Sequence, residues 1–165
     1  MNAGIWLPAL KLIHLGALVL WLGPALGAWW LLMSANRQFG DPSPMSQHLY
    51  KTFLKIVWLE HIALGVLLLS GFLYASLAEF SLSEIAWLKY KLIVIALFVL
   101  PLEAADIWFS HVKLQRLFSK HDPLQPYTQE TAALLGFYHG IFTRAALVIL
   151  PPAVIAIMWL AIAKP

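Results

Sequence analysis

Four long apolar stretches dominate the sequence, and they occupy about residues 5–33, 53–77, 85–110 and 132–163. An α-helix needs roughly 20 residues, at about 1.5 Å of rise each, to cross the hydrocarbon core of a bilayer. With 61% hydrophobic and 12% charged residues, a soluble domain of 165 residues could not bury so much apolar surface. The sequence therefore predicts an all-α integral membrane protein, a single domain over residues 1–165 whose antiparallel spans form a four-helix bundle.

The connections between these spans differ in charge. The first and third connections carry most of the cations outside the spans, namely Arg37, Lys51, Lys55, Lys113, Arg116 and Lys120. On the opposite side, Lys11, Lys89, Lys91 and Lys164 lie mostly within the spans or flush with their ends. Because cytoplasmic loops carry the excess of Lys and Arg, both termini are predicted on the non-cytoplasmic side.

Composition excludes several kinds of protein and site. The formal charge of +3 comes from basic residues spaced singly between apolar stretches, without the basic, aromatic-interleaved face that nucleic-acid binding requires. The chain has no cysteine, which excludes disulfides, thiolate metal sites, iron–sulfur clusters and covalently attached haem. We expect the first apolar stretch to be a retained helix, because no small-residue cleavage site follows a short apolar core.

The first span has two distinct faces on a helical projection. Gly16, Gly23 and Gly27 share one face, and the spacing of the last two favours close approach of another helix. His14 and Trp21, seven residues apart, share a different face. We therefore expect one face to pack against a neighbour and the other to present polar chemistry.

Ionisable side chains at membrane depth are costly and usually face an interior or a cavity. The spans hold many of them: Lys11, His14, Glu60, His61, Lys89, Lys91, Glu103, Asp106, His111, His139 and Arg144. Lys11 and Lys89 are long enough to snorkel to the interface, and Arg144 suits a headgroup anchor. His48 and His121 are predicted in solvated loops. Glu103 and Asp106 lie on adjacent turns of one face, where they either pair with Arg144 or serve a function.

The histidines suggest a metal centre, since neutral imidazole is a good ligand for haem iron, copper and zinc. One histidine lies on or at the end of each span, and bundle cores hold haem between facing helices. His14 is about 13 Å in height from His61, so these two cannot bind one iron. A pair drawn from His61, His111 and His139 is geometrically allowed, and His14 would then belong to a separate, outward site.

Carboxylates predicted in the same half of the molecule as His61, His111 and His139 allow a second kind of site. Glu60, Glu103 and Asp106 with these histidines could form a non-haem metal site, or a proton relay to a quinone or porphyrin. The chain has no Glu-x-x-His repeat, so the di-iron carboxylate pattern is not met.

Four short motifs resemble those of a known family. They are Lys11-x-x-His14-x6-Trp21-x-Gly23 in the first span, LYK at residues 49–51, WLKYKL at residues 87–92, and Arg144 with downstream prolines in a chain ending Lys164-Pro165. Together they resemble the HemJ-type protoporphyrinogen oxidases and the related CopD-like membrane proteins. Lys89 stands where that family has histidine, Lys51 where it has arginine, and its Asn-Glu-x-Pro motif in the last helix is absent.

The resemblance implies a small four-helix protein of the bacterial inner membrane that binds haem b. In the HemJ branch it also implies oxidation of protoporphyrinogen IX, with electrons passing to quinone. By position, His14 corresponds to the family's haem-ligand candidate and Lys91 to its third-helix lysine. Trp21 and Arg144 also fall on the matching motifs, and Lys11 and Lys91 suit the porphyrin carboxylates.

Three functions follow as hypotheses. The leading one is a haem-b redox protein, either an oxidase or an electron carrier linked to the quinone pool. The second is a CopD-like transport or tolerance protein for copper or another transition metal, although no Met-rich or Cys motif favours copper(I). The third is a structural or assembly subunit. Predicted partners are the lipid bilayer and a quinone or porphyrin, and a homo-oligomer stays open.

Overall fold

The computed structural model describes residues 3–40, 43–80, 85–120 and 125–164, and this part of the chain is helical without a β-strand. Four helical stretches are long and apolar enough to cross a membrane: Trp6–Phe39, Met45–Leu77, Ala86–Ser119 and Gln129–Ala163. The prediction of an all-α chain with four membrane-capable helices is confirmed.

The helices and their bounds follow the chain in order. The first stretch consists of α1 (Ala3–Leu22) and α2 (Pro24–Phe39), and the second is α3 (Pro44–Leu77). The third is α4 (Ala86–Val94), a π-helical turn at Ile95–Val99, α5 (Leu100–Ile107), a second π-helical turn at Trp108–Leu114, and α6 (Gln115–Lys120). The fourth is α7 (Gln129–Gly136), a third π-helical turn at Phe137–Phe142, and α8 (Thr143–Ala163).

The chain forms two compact units, each with its own packing. Unit 1 contains Met1–Phe80 and Gln115–Tyr127, where α1 and α2 pack on α3. Unit 2 contains Ser81–Leu114 and Thr128–Pro165, where α4 packs on α8. The arrangement of all four spans in one bundle, and the side of the membrane that each terminus occupies, stay predictions.

The helices extend further than hydropathy predicts. The expected loop after the first span shrinks because α2 continues to Phe39 and α3 begins at Pro44. Ser43 explains the early start of α3, since its hydroxyl accepts from the backbone N–H of Ser46 at 3.1 Å while its own N–H donates to the Ser46 hydroxyl at 2.8 Å. His48, predicted in a loop, therefore lies on α3, where it is exposed. His121 lies outside the described residues.

Glycine has a different role in the first span from the one predicted. A Cβ at Gly16 or Gly27 would meet no described atom within 4 Å outside the helix's own nearby backbone, so no described helix of unit 1 closely approaches these positions. Gly23 instead marks the break between α1 and α2, because Pro24 has no N–H to continue the ladder of α1. The close approach occurs at Gly71 of α3, which faces His14.

Candidate functional site

His14 lies between α1 and α3 in unit 1, with one ring nitrogen directed at the α3 backbone. Its Nδ1 is 2.9 Å from the carbonyl oxygen of Leu67 and 3.1 Å from the Ser70 hydroxyl. A carbonyl oxygen only accepts, so Nδ1 carries the ring proton and donates it. In the neutral imidazole the basic lone pair is therefore on Nε2, the nitrogen that a metal would bind.

Gly71 makes room for this ring on α3. A Cβ at that position would lie 3.0 Å from Cε1 of His14 and 3.4 Å from Nδ1, closer than ordinary contact. The hydroxyl of Ser70 donates to the Leu67 carbonyl at 3.1 Å, so it presents its oxygen to Nδ1 of His14. Two polar atoms and a glycine recess thus fix the orientation of the imidazole.

The rest of this face carries one cation and one buried indole. Lys11, one turn before His14, has its Nζ 5.3 Å from the centroid of the Tyr74 ring, and Tyr74 is one turn beyond Ser70 on α3. Trp21 is only 3% exposed, whereas Lys11 is exposed. The face shared by His14 and Trp21 is thus an interior face, and it ends in a positive charge.

His61 and Glu60 occupy a different level of α3. His61 precedes Leu67 by six residues, which is about 9 Å of helical rise. Because His14 is bonded at the level of Leu67, the two histidines differ in height by less than the roughly 13 Å predicted from the sequence. Both Glu60 and His61 are half-buried.

Unit 2 contains a second polar cluster, built around Asp106. The Tyr138 hydroxyl donates to Oδ1 of Asp106 at 2.7 Å, a short bond of the charge-assisted kind. Tyr138 is 2% exposed, Glu103 5% and His139 7%. Three side chains of the third and fourth spans that carry polar groups are therefore buried in this unit, and Asp106 itself is half-buried.

Two of the π-helical turns carry this cluster. Tyr138 and His139 lie on Phe137–Phe142, and Asp106 lies two residues before Trp108–Leu114. The same turns bring the ring of Phe109 within 5.2 Å of Phe137 and 5.6 Å of Phe142, measured between centroids. Such turns inside α-helices occur frequently at functional sites, because they change the direction of the side chains that follow.

The remaining predicted residues are dispersed. Lys91 and His111 are half-buried in unit 2, while Lys89 and Arg144 are exposed. Asp106 accepts a hydrogen bond from Tyr138, whereas pairing with Arg144 was one of the two alternatives that the sequence left open for Glu103 and Asp106. Throughout residues 3–40, 43–80, 85–120 and 125–164, no three His, Asp or Glu side chains are grouped as ligands for a metal ion.

Sequence reasoning missed the residues that support these two sites. Ser70 and Gly71 are the two smallest residues of the apolar stretch LLLSGFLY, and such small residues in a span indicate where another helix can approach. Tyr138 is adjacent to His139, but its hydroxyl meets Asp106 through the fold alone.

Comparison with known proteins adds no relative: no family model matches the chain, and neither does any curated protein or solved structure. The family resemblance of the four motifs therefore stays a prediction.

Proposed function

We propose that this chain is a membrane redox protein that binds haem b through His14. The observation that carries the proposal is the hydrogen bond from Nδ1 of His14 to the Leu67 carbonyl, at 2.9 Å. Histidines that bind metals almost always donate their other ring N–H to a carbonyl or carboxylate, which fixes the tautomer and raises the basicity of the ligating nitrogen. His14 has this arrangement within a membrane-capable helix.

A single imidazole suits haem better than it suits a bare metal ion. The porphyrin supplies the equatorial nitrogen ligands itself, so the protein adds only one or two axial ligands. A copper or zinc ion held by protein alone needs several donors together. Among the described residues, no group of three His, Asp or Glu donors accompanies the oriented imidazole of His14, which supports haem over the CopD-like alternative.

The surrounding residues serve binding and orientation. Lys11, on the same side of α1 as His14, is placed to pair with a porphyrin carboxylate, and its contact with Tyr74 limits the positions of its ammonium group. Ser70 and Leu67 hold the ring against rotation. When bound, haem supplies one-electron oxidation and reduction, and the resemblance supports exchange with the quinone pool and protoporphyrinogen IX as the candidate substrate.

The same proposal includes a location and an orientation. The resemblance supports the bacterial inner membrane, and the cations of the first and third connections support a cytoplasmic position for those connections. Both termini would then lie outside the cytoplasm.

The visible spectrum of the protein purified in detergent tests this function. We expect a Soret band, with sharp α and β bands after reduction by dithionite. His14→Ala should abolish these bands, and added imidazole should restore part of them by replacing the missing ligand. His48→Ala, which changes an exposed histidine of α3, is the matched control and should leave the spectrum unchanged.

Two further variants decide whether a second haem site exists. His61→Ala or His139→Ala should alter the spectrum more than His48→Ala does if these histidines also bind iron. If only His14→Ala has an effect, one haem site is present. A colourless preparation with stoichiometric copper would reject the haem proposal in favour of metal transport.

A further inference from the structure

An aromatic clamp joins three helices of unit 1 at one end. We define it by Asn36 of α2, Tyr50 of α3, Phe118 of α6 and the following Tyr127. The Asn36 amide donates to the Tyr50 hydroxyl at 3.0 Å, and the Tyr50 ring stacks on Phe118 with centroids 5.1 Å apart. Tyr127 meets both rings edge-on, at 6.5 and 6.0 Å. Tyr50 is 2% exposed, so the clamp is an interior structure and holds the three helices in fixed register.

Four exposed cations lie on the helices that meet at this clamp, and they form what we call the basic surface: Arg37, Lys51, Lys55 and Arg116. Arg37 follows Asn36, Lys51 follows Tyr50, and Arg116 lies two residues before Phe118. The clamp therefore brings together helix segments that carry cations distant in sequence. Residues 24–39, 44–59 and 115–120 contain no Asp or Glu, and the first carboxylate of α3 is Glu60, five residues after Lys55.

The lengths of the helices indicate that the basic surface would lie at the depth of lipid headgroups in a bilayer. The first two membrane-capable helices have 34 and 33 residues, about 50 Å of helix against roughly 30 Å of hydrocarbon. Arg37 comes four residues after the apolar stretch ends at Met33, which is about 6 Å beyond it. That distance falls within the polar layer that flanks the hydrocarbon core.

One neighbouring feature favours a lipid over a water-soluble acidic partner. Phe39 and Met45, on the same helix ends, are 54% and 49% exposed, and such side chains are suited to contact with acyl chains. A water-soluble partner would leave these apolar side chains beside the cations without a contact of matching chemistry.

We propose that the basic surface is a binding site for an anionic phospholipid, for which phosphatidylglycerol is the probe. The cations attract the phosphate, the clamp fixes their spacing, and the apolar side chains contact the acyl chains. This site uses none of the residues assigned to haem, so it holds or fails independently of the proposed function.

Native mass spectrometry of the protein in mixed micelles of equal phosphatidylglycerol and phosphatidylcholine tests the site. We expect the wild type to retain phosphatidylglycerol about tenfold over phosphatidylcholine, given the attraction of each cation for an anionic surface. Lys51→Gln/Arg116→Gln should remove most of that preference. Lys89→Gln/Lys164→Gln removes the same charge from exposed positions in unit 2 and should preserve it.

Phe118→Leu separates a built site from a general effect of charge. It keeps all four cations but removes the ring stacked on Tyr50, and we expect the preference to fall about threefold, given the strength of aromatic pairs. Thermal unfolding in detergent confirms that each variant is folded. A wild type without preference, equal losses in both charge pairs, or an unchanged preference in folded Phe118→Leu would each overturn the proposal.

Discussion

The His14 site of unit 1 and the Asp106 cluster of unit 2 solve the problem of polar groups in a membrane helix differently. His14 is held mainly by backbone, through the Leu67 carbonyl and the recess at Gly71. Asp106 is held by a side chain, the Tyr138 hydroxyl. In the first case the proton on Nδ1 is used for orientation, and Nε2 is the nitrogen to which the proposed haem would bind. In the second case the carboxylate oxygen accepts from the protein itself.

This difference separates the arrangement proposed to bind a ligand from an arrangement that holds two spans together. An imidazole needs only one of its two nitrogens to satisfy the protein, so its orientation and its chemistry are independent. The Asp106–Tyr138 bond joins two spans directly, and its main measurable consequence is for the stability of unit 2. The two sites should therefore respond to substitution in different observables, spectrum for the first and stability for the second.

The largest stability effect is expected at Asp106. Asp106→Ala removes the acceptor of the buried Tyr138 hydroxyl and should lower the free energy of unfolding by about 2 kcal/mol. Asp106→Asn keeps an acceptor oxygen and should cost about half as much. Unfolding in detergent, followed by circular dichroism, measures both. If Asp106→Ala also removed the haem spectrum of a folded protein, Asp106 would belong to the haem site and the comparison would fail.

Gly71→Ala tests the recess at the His14 site. The added Cβ would stand 3.0 Å from Cε1 of His14, so the ring must move, and we expect about 1–2 kcal/mol of destabilisation from overpacking. Gly65→Ala on the same helix is the matched control, because its Cβ would meet nothing within 4 Å. That variant should be neutral or up to about 1 kcal/mol more stable, since Ala favours helix over Gly. Equal effects of the two substitutions would show that Gly71 is not a recess.

The sequence predicts the membrane helices well because lipid imposes length and apolarity on every span. It predicts their ends less well, because polar residues such as those after Met33 continue as helix beyond the lipid. Ser43 and Ser46 were a readable start signal for α3, and their capping bond explains why the helix begins before the apolar stretch.

The candidate sites were predictable only in part. His14 was identifiable as a titratable group at membrane depth with a tryptophan on its face. Its acceptor was not, because the face of α3 that meets α1 depends on packing, and only the Ser70-Gly71 pair indicates it. The contact of Asp106 with Tyr138 was even harder to predict from the sequence. These two side chains lie on or beside π-helical turns, which shift the register of every following residue and leave no pattern in the sequence.

The smallest expected effect on stability is that of replacing either of two buried serines, one in each unit. Ser70 is 3% exposed and lies 3.1 Å from Nδ1 of His14, whereas Ser110 is fully buried and donates to the backbone carbonyl of Asp106 at 2.7 Å. Ser70→Ala and Ser110→Ala should each lower the free energy of unfolding by only about 0.5 kcal/mol, the usual value for hydrogen bonds within membranes.

The visible spectra of the two variants should differ, because of the two serines only Ser70 helps to orient the imidazole of His14. We expect Ser70→Ala to shift the reduced α band and the redox midpoint, and Ser110→Ala to change neither. A shift of the same size in both variants would mean that the spectrum reports general loosening of the helices, and the special role of the contacts around His14 would be lost.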